Sequence, residues 1–199
     1  MSTAMSVSSV TAEGFEVLHL LRIRGRIAAD QLGAEQAVVE ALSDAELVRM
    51  TERGVILTSK GFQQNALHLE FERAEIELDR FAATYDRFLR VNQPIKDVCA
   101  AWQARGISVS DDDMFKALDA LEGLFERVRP SLSGAADIVP RFQSYVDHLA
   151  AALDRVAEGE RKFLADPQSA SFHTVWFECH EDYLLTLGRD RDSEEKELS

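Results

Sequence analysis

The stretch that most strongly constrains the fold is residues 47–61, which read LVRMTERGVILTSKG. An apolar run begins it, the ERG tripeptide at residues 52–54 has the composition of a tight turn, and the run at residues 55–57 contains two β-branched side chains. Thr58 or Ser59 then supplies a side-chain oxygen that can cap a helix. The pattern predicts a β-hairpin that leads directly into a helix.

Three short helices are predicted before this hairpin. Residues 14–24 are dense in apolar side chains, residues 27–32 form a second short segment ended by Gly33, and residues 35–45 place apolar side chains at helical spacing. Two short helices joined by a glycine-containing turn are typical of a helix-turn-helix. The order helix, helix, helix, hairpin, helix predicts a winged helix-turn-helix.

Residues 14–62 resemble the DNA-binding half of a MarR-type winged-helix regulator. The resemblance rests on IAADQLG at residues 27–33, on the helix at residues 35–45 and on LTSKG at residues 57–61, and it covers about a quarter of the chain. It implies that helix 35–45 enters the major groove of DNA. It also implies that Arg53, at the tip of the hairpin, reaches the minor groove.

The helix at residues 35–45 departs from that family because it contains no lysine or arginine. Arg, Lys, Asn and Gln usually lead base recognition, and among the polar residues of this helix only Gln36 is of that kind. The three arginines within residues 22–26 are equally consistent with phosphate contacts and with ion pairs to acidic residues elsewhere. The predicted DNA-contacting residues are Arg22, Arg24, Arg26, Gln36, Arg53 and Lys60.

The charge of the chain limits where a nucleic acid could bind. The 199 residues carry 22 basic and 35 acidic side chains, a formal net charge of −13. Residues 1–62 contribute six basic and eight acidic side chains, so the remainder is strongly acidic. Because nucleic-acid binding depends on neutralising phosphates with Lys and Arg, a nucleic-acid surface is expected only in the first third of the chain.

Several classes of protein have no support in the sequence. No apolar run is long enough to span a membrane, and the first ten residues lack the pattern of a signal peptide. Cys99 and Cys179 are therefore expected to be buried thiols of a cytoplasmic protein. No nucleophile, nucleotide-binding or zinc-binding motif occurs, so the sequence predicts no enzyme activity, no cofactor and no metal site.

The rest of the chain, residues 63–188, is predicted to form an antiparallel helical bundle that dimerises or binds an effector. Further helices are expected at residues 94–106, 112–129 and 137–164, and a last one from Asp166-Pro167 to Gly188. The first helix is predicted over residues 62–91, with an apolar seam spaced alternately by 4 and 3 residues: Leu67, Phe71, Ala74, Leu78, Phe81, Tyr85 and Phe88.

The predicted domain boundaries follow from the breaks in these patterns. Asn92 is expected to cap the helix that starts near Pro94, and Pro130 to end the helix at residues 112–129. Residues 130–137 are the one flexible-looking break in the bundle. The predicted organisation is a disordered start at residues 1–13, a winged-helix domain at residues 14–62, the bundle at residues 63–188 and a charged tail at residues 189–199.

The segment at residues 172–185 has the most unusual composition, because four aromatic or histidine residues recur in it at intervals of 3, 4 and 3, on one helix face. This face either lines a ligand or metal pocket or packs in a core where acidic groups satisfy its histidines, and packing is the commoner outcome. The acidic residues nearby are expected on other faces. The candidate effector-binding residues are Trp102, Tyr145, His173, Trp176, His180 and Tyr183.

Two functions from different classes fit these patterns. A homodimeric transcriptional regulator would bind double-stranded DNA through its winged helix and a small-molecule effector through its bundle. A protein-interaction module would instead use the winged helix as a docking surface, without binding DNA. The order of the elements favours the regulator, whereas the acidic charge and the helix at residues 35–45 favour the docking module.

Overall fold

The computed structural model describes residues 10–104 and 110–189. These residues are mainly helical, with eight α-helices and one small antiparallel sheet, and the predicted mainly-α class is confirmed. They form two compact units. The first contains the described residues up to Glu75 together with Gly188 and Arg189, and the second contains the described residues of Ile76–Leu187.

The secondary structure has the following bounds. The elements of the first unit are α1 (Ala12–Arg24), β1 (Arg26–Ile27), a 3₁₀ turn (Ala29–Gln31), α2 (Gln36–Asp44), β2 (Val48–Thr51), β3 (Gly54–Leu57) and α3 (Ser59–Glu75). The elements of the second unit are α4 (Leu78–Ala104), α5 (Asp111–Ala136), a 3₁₀ turn (Pro140–Phe142), α6 (Gln143–Ala157), α7 (Lys162–Ala165) and α8 (Phe172–Leu187).

The predicted hairpin is confirmed as β2 and β3, with Val48 opposite Leu57 and Thr51 opposite Gly54. Gly54 has a φ of 120°. A side chain there would also collide with the carbonyl oxygen of Ile27, so only glycine fits. The predicted cap of the next helix is confirmed as well, because the Thr58 hydroxyl accepts a 3.0 Å hydrogen bond from the Gly61 N–H.

The helix predicted at residues 27–32 is wrong. Ile27 instead pairs with Val55, which makes β1 the third strand of a sheet ordered β1-β3-β2, and only a 3₁₀ turn follows it. Ile27 is 4% exposed, and its β-branched side chain gains more from this buried pairing than from a two-turn helix between two glycines. Both of those glycines, Gly25 and Gly33, have positive φ.

The single helix predicted over residues 62–91 is also wrong. α3 ends at Glu75 and α4 begins at Leu78, so the apolar seam is divided between the two units. Phe81, Tyr85 and Phe88 are buried in the core of the second unit, whereas Phe71 on α3 is 51% exposed. The predicted seam therefore consists of two separate helix faces, one on α3 and one on α4, whose 4 and 3 spacing happens to continue in the sequence.

Two prolines predicted to interrupt the bundle lie inside helices. α4 runs through Pro94 and α5 runs through Pro130, so Asn92 caps nothing and the flexible break predicted at residues 130–137 is wrong. A proline removes one helical hydrogen bond. Around Pro130, the burial of Val128 and Leu132 on the same helix compensates for that loss.

The helix predicted over residues 137–164 is divided as well. A 3₁₀ turn precedes α6, and Gly159, with a φ of 93°, separates α6 from α7. The last helix begins at Phe172 rather than at Asp166-Pro167. Its first turn is capped by Ser171, whose hydroxyl accepts a hydrogen bond of 3.3 Å from the N–H of Thr174.

Each unit has its own hydrophobic core. In the first, α1 contributes Leu18 and Leu21, and the central strand contributes Val55; all three have no exposed surface. In the second, α5 packs against α4 and α6, and α8 packs against α4 and α6 as well. α8 also packs against α7, so its side chains meet three other helices, which accords with its dense aromatic sequence.

Candidate functional site

The exposed face of α2, the predicted recognition helix, is acidic. Leu42 is buried, while Gln36, Glu40 and Asp44 are exposed. The Gln36 side-chain amide donates a 2.7 Å hydrogen bond to the Glu40 carboxylate one turn away. The residue predicted to read bases is thus held by its own helix, and carboxylates flank it.

Lys60, a predicted phosphate contact, is bound within the first unit. Its ammonium group donates a 2.7 Å hydrogen bond to the carbonyl oxygen of Ala45, at the end of α2, and lies 3.8 Å from the Glu46 carboxylate. The Thr58 hydroxyl donates to the carbonyl oxygen of Glu46 at 2.7 Å. The LTSKG sequence therefore ties the start of α3 to the end of α2, which is a structural role.

The cluster of three arginines within residues 22–26 does not form one surface element. Arg22 and Arg24 belong to the last turn of α1, and the Arg22 guanidinium lies 5.1 Å from the centre of the Phe62 ring on α3. Arg26 belongs to β1, beyond the positive-φ Gly25. Because α1 ends at Gly25, Arg26 lies on the sheet and not on the helix that carries Arg22 and Arg24.

The sheet brings together two arginines that are distant in sequence. Arg26 on β1 and Arg49 on β2 both pair with Ile56 of the central strand, so the three residues form one row across the sheet. Directly paired residues project to the same side of a sheet, and both arginines are exposed. We call Arg26, Ile56 and Arg49 the arginine row.

Arg49 was not among the predicted DNA-contacting residues. Its signal in the sequence is VRMT at residues 48–51, where apolar and polar side chains alternate and place Arg49 on the opposite face from buried Val48. Arg53 lies in the turn between β2 and β3 and is exposed, as predicted for a hairpin tip. Among the described residues, the guanidinium groups of Arg26, Arg49 and Arg53 have no hydrogen-bond or ion-pair partner.

In the second unit, the predicted shared face of α8 is buried against α4. The Trp176 ring stacks on Phe88 with a centroid distance of 4.1 Å. The Trp176 indole N–H donates a 2.9 Å hydrogen bond to the side-chain oxygen of Asn92. Trp176 is therefore a core residue with its one polar atom satisfied.

The other two buried residues of this face have their polar atoms satisfied too. A 2.9 Å hydrogen bond joins the Nε2 of His180 to the hydroxyl of Tyr85, and a 3.2 Å hydrogen bond joins the hydroxyls of Tyr183 and Thr84. A tyrosine hydroxyl is thus one partner of the His180 ring. Burial raises the pKa of Tyr183 far above its usual range.

Asp182, expected on a different face of α8 from His180 and Tyr183, is buried as well. It has no exposed surface and accepts hydrogen bonds of 3.1 Å from the Nε and Nη2 of Arg141. The Tyr145 hydroxyl donates to the same carboxylate at 3.0 Å, and the Thr186 hydroxyl at 2.9 Å. Burial, and next the Asp182 charge, raise the pKa of Tyr145 well above its usual value.

The remaining two candidate effector residues lie apart from this core. His173 is half-buried beside Phe177, and its partial burial lowers its pKa. Trp102 is half-buried against the core from α4. A surface groove of about 320 Å³ between α5 and α6 is lined by other residues, among them Phe125 and Leu153.

Comparison of the chain with family models, curated proteins and solved structures finds no match. Within residues 10–104 and 110–189, no three His, Cys, Asp or Glu side chains come together as a metal ion would require. Over the same residues, no helix combines the length and the hydropathy needed to cross a membrane.

Both cysteines are free and fully buried, one on α4 and one on α8. Burial raises the pKa of the Cys99 thiol from 9.0 to about 12, and it raises the pKa of Cys179 well above the usual value, with Asp182 adding to the rise. A thiol reacts as its thiolate, so neither cysteine has the environment of a nucleophile.

We expect neither thiol to react with Ellman's reagent in the native protein, and both to react in guanidinium chloride. The raised pKa of each thiol also sets a pH dependence. The unfolded chain ionises its thiols near pH 9.0 while the folded chain keeps Cys99 neutral until about pH 12, so stability present below pH 9.0 falls as the pH rises through that interval. Thermal melts across alkaline pH measure this fall, and rapid labelling of the native protein would contradict the burial.

Proposed function

We propose that the chain is a DNA-binding transcriptional regulator of the MarR-like winged-helix kind, with the first unit contacting double-stranded DNA. The single observation that carries this proposal is the three-stranded sheet of the first unit with its hairpin turn, where Arg26, Arg49 and Arg53 are exposed and unpaired among the described residues. The order helix, short strand, 3₁₀ turn, helix, hairpin and helix supports it, because regulators are the commonest proteins with a helix-turn-helix and wing.

The charge pattern supports a DNA partner in this unit. A chain with a net charge of −13 has an excess of carboxylates to neutralise its arginines, yet these three side chains point to solvent. Exposed and unpaired guanidinium groups are the groups that neutralise phosphates and release counterions.

A second candidate is a protein-docking module, which the exposed face of α2 favours. Gln36, Ala37, Glu40, Ala41 and Asp44 are all exposed on this helix. A short helix face with small and acidic side chains fits a basic protein surface better than a phosphate backbone, because like charges repel. In this case the first unit would bind a protein and no nucleic acid.

Electrophoretic mobility shifts on a library of duplexes, with a salt series, separate the two candidates. The regulator is expected to retard duplex at low salt and to lose affinity as salt rises, since each phosphate contact adds about 0.9 to the slope of log K against log salt. A wild-type protein that shifts no duplex at low salt would leave the docking module as the better function.

We also propose that the protein is a homodimer. The supporting observation is on α3, where Phe71 is 51% exposed and follows half-buried Leu67 at a spacing of four residues, on the same side of the helix. Together the two side chains offer an apolar surface that a second copy of the chain could cover. A dimer would also present two copies of the sheet, as the two-fold symmetry of many duplex sites requires.

Light scattering is expected to give twice the chain mass of 22.3 kDa in the micromolar range. Phe71→Glu is expected to return the mass to 22.3 kDa, because a charge would be buried in the interface. Phe115→Glu on α5 is the matched control, because Phe115 is similarly exposed, at 54%, but lies outside the proposed contact face of α3, so the mass should stay unchanged. A wild-type mass of 22.3 kDa throughout would contradict the dimer.

A small-molecule effector bound by the helical unit stays a prediction. The four buried members of the predicted set, Tyr145, Trp176, His180 and Tyr183, already bond to neighbouring side chains of the same unit. A ligand at that face would have to displace those bonds. The groove between α5 and α6 is the more accessible concave surface, and its lining includes none of the six predicted residues.

A further inference from the structure

We propose that DNA docks on the outer face of the three-stranded sheet, with Arg26 and Arg49 on phosphates, and that α2 does not read the bases. This inference rests on the proposed function and assigns its surface. The family resemblance implies that a helix makes the main contacts with DNA. Here the sheet makes them instead, and the arginine row and Arg53 contact the phosphates.

The geometry of the sheet spaces the two arginines suitably. Arg26 and Arg49 both pair with Ile56, so they stand on the two strands that flank the central strand. Neighbouring strands are about 4.8 Å apart, which puts the two Cα atoms about 10 Å apart. The grooves of B-DNA are about 6 and 12 Å wide, so two long side chains at this spacing can reach phosphates on the two sides of one groove.

The side chain between them permits close approach. Ile56 is half-buried and apolar, so the row has no carboxylate at its centre. The hairpin turn adds Arg53 next to Glu52, which leaves the sheet and its turn with a positive balance. In a chain of strongly negative charge, a face with a positive local balance is less repulsive to a polyanion than the acidic surface elsewhere.

The electrostatics of α2 point the other way. Glu40 and Asp44 are exposed on the face that would enter a groove, and phosphates on both sides would repel them. The Gln36 amide is bonded to Glu40 at 2.7 Å, so base contact would first break that bond. Lys60 is bonded to Ala45 and paired with Glu46, so it does not offset the acidic face of α2.

The test compares full-length variants on the duplex that the wild type binds best. Arg26→Ala/Arg49→Ala is expected to lower affinity about 30-fold at about 0.15 M salt and to flatten the salt slope by about two, since each lost phosphate contact removes about 0.9. Arg26→Lys/Arg49→Lys is expected to keep most of the slope, because lysine still neutralises phosphates. Thermal melts check that all variants are folded, as expected for exposed positions.

Two further variants serve as controls. Arg87→Ala/Arg90→Ala removes the same charge from exposed positions of α4 and is expected to change affinity less than twofold. Gln36→Ala/Glu40→Ala on α2 is expected to leave the sequence preference unchanged. Its affinity for the duplex should be equal to that of the wild type or slightly higher, because a negative charge is removed.

The outcomes separate this inference from the proposed function. If the wild type shifts no duplex, the proposed function fails and this inference fails with it. In that case, binding of an acidic polypeptide by the wild type but not by Arg26→Ala/Arg49→Ala would show that the arginine row binds a protein. If the wild type shifts duplex but Arg26→Ala/Arg49→Ala binds as tightly as the α4 control, only the sheet face is contradicted. Loss of sequence preference in the α2 variant would likewise restore the helix as the reading element.

Discussion

Asp182→Ala is expected to lower the free energy of unfolding by about 3–5 kcal/mol. The substitution leaves Arg141, whose side chain is only 18% exposed, without the carboxylate that accepts hydrogen bonds from its Nε and Nη2. It also leaves the hydroxyls of Tyr145 and Thr186 without their acceptor. Urea titration followed by tryptophan fluorescence measures the effect, since Trp102 and Trp176 both belong to the second unit.

An exposed ion pair supplies the control for this first prediction. Glu126 on α5 accepts a 2.9 Å hydrogen bond from Arg129, and both side chains are more than half exposed, so Glu126→Ala is expected to change stability by less than about 1 kcal/mol. Arg141→Met/Asp182→Leu, which removes both charges, is expected to recover much of the loss. Equal losses in Asp182→Ala and Glu126→Ala would contradict the role of burial.

Phe88→Ala is expected to cost about 3–5 kcal/mol, the second large effect. Phe88 has no exposed surface, stacks on Trp176 and contacts the rings of Tyr85, His180 and Tyr183. Its removal opens a cavity at the junction of α4 and α8 where several hydrogen-bonded groups converge. The same urea titration reports the loss, and the native emission of Trp176 is expected to shift because its stacking partner is gone.

The matched control is Phe115→Ala on α5, because Phe115 is 54% exposed and buries little surface. Its expected effect on the unfolding free energy is within about 0.5 kcal/mol. A loss in Phe88→Ala no larger than in this control would mean that the aromatic cluster packs less tightly than the ring distances indicate. A shift of Trp176 emission without loss of stability would contradict the prediction, because it would show that Phe88 affects only the surroundings of Trp176.

The parts of the fold that depend on neighbours in sequence were predicted correctly. The β2–β3 hairpin and α2 follow from short patterns of apolar side chains and turn residues between residues 35 and 57. β1 was missed because its two residues become a strand only by pairing with Ile56 and Val55, about 30 positions later. A pairing of that kind has no local signature.

Helix ends were predicted less well, for two opposite reasons. The break between Glu75 and Leu78 has no glycine or proline to mark it, and the apolar period continues across it, so the pattern ran past the boundary. Pro94 and Pro130 were taken as breaks, yet tertiary packing holds α4 and α5 through them. Burial of the whole helix, which the sequence does not display, decides both cases.

In the candidate sites too, local patterns were predicted and contacts between distant residues were missed. The shared face of Trp176, His180 and Tyr183 was predicted from helical spacing, but their partners on α4 lie more than 80 residues away. The buried Asp182 was missed because Arg141 is 41 positions away from it. Arg49 was missed because only the sheet register places it beside Arg26.

The narrow sheet also bears on how the protein avoids aggregation. Both outer strands are short, at two and four residues, and each carries an exposed arginine where another chain would have to pair edge to edge. Charged side chains on short edge strands are a common defence against intermolecular β-sheet growth. Arg26 and Arg49 therefore protect the two edges of the only sheet within the described residues, so we expect Arg26→Ala/Arg49→Ala to aggregate more readily than the wild type as well as to bind DNA less tightly.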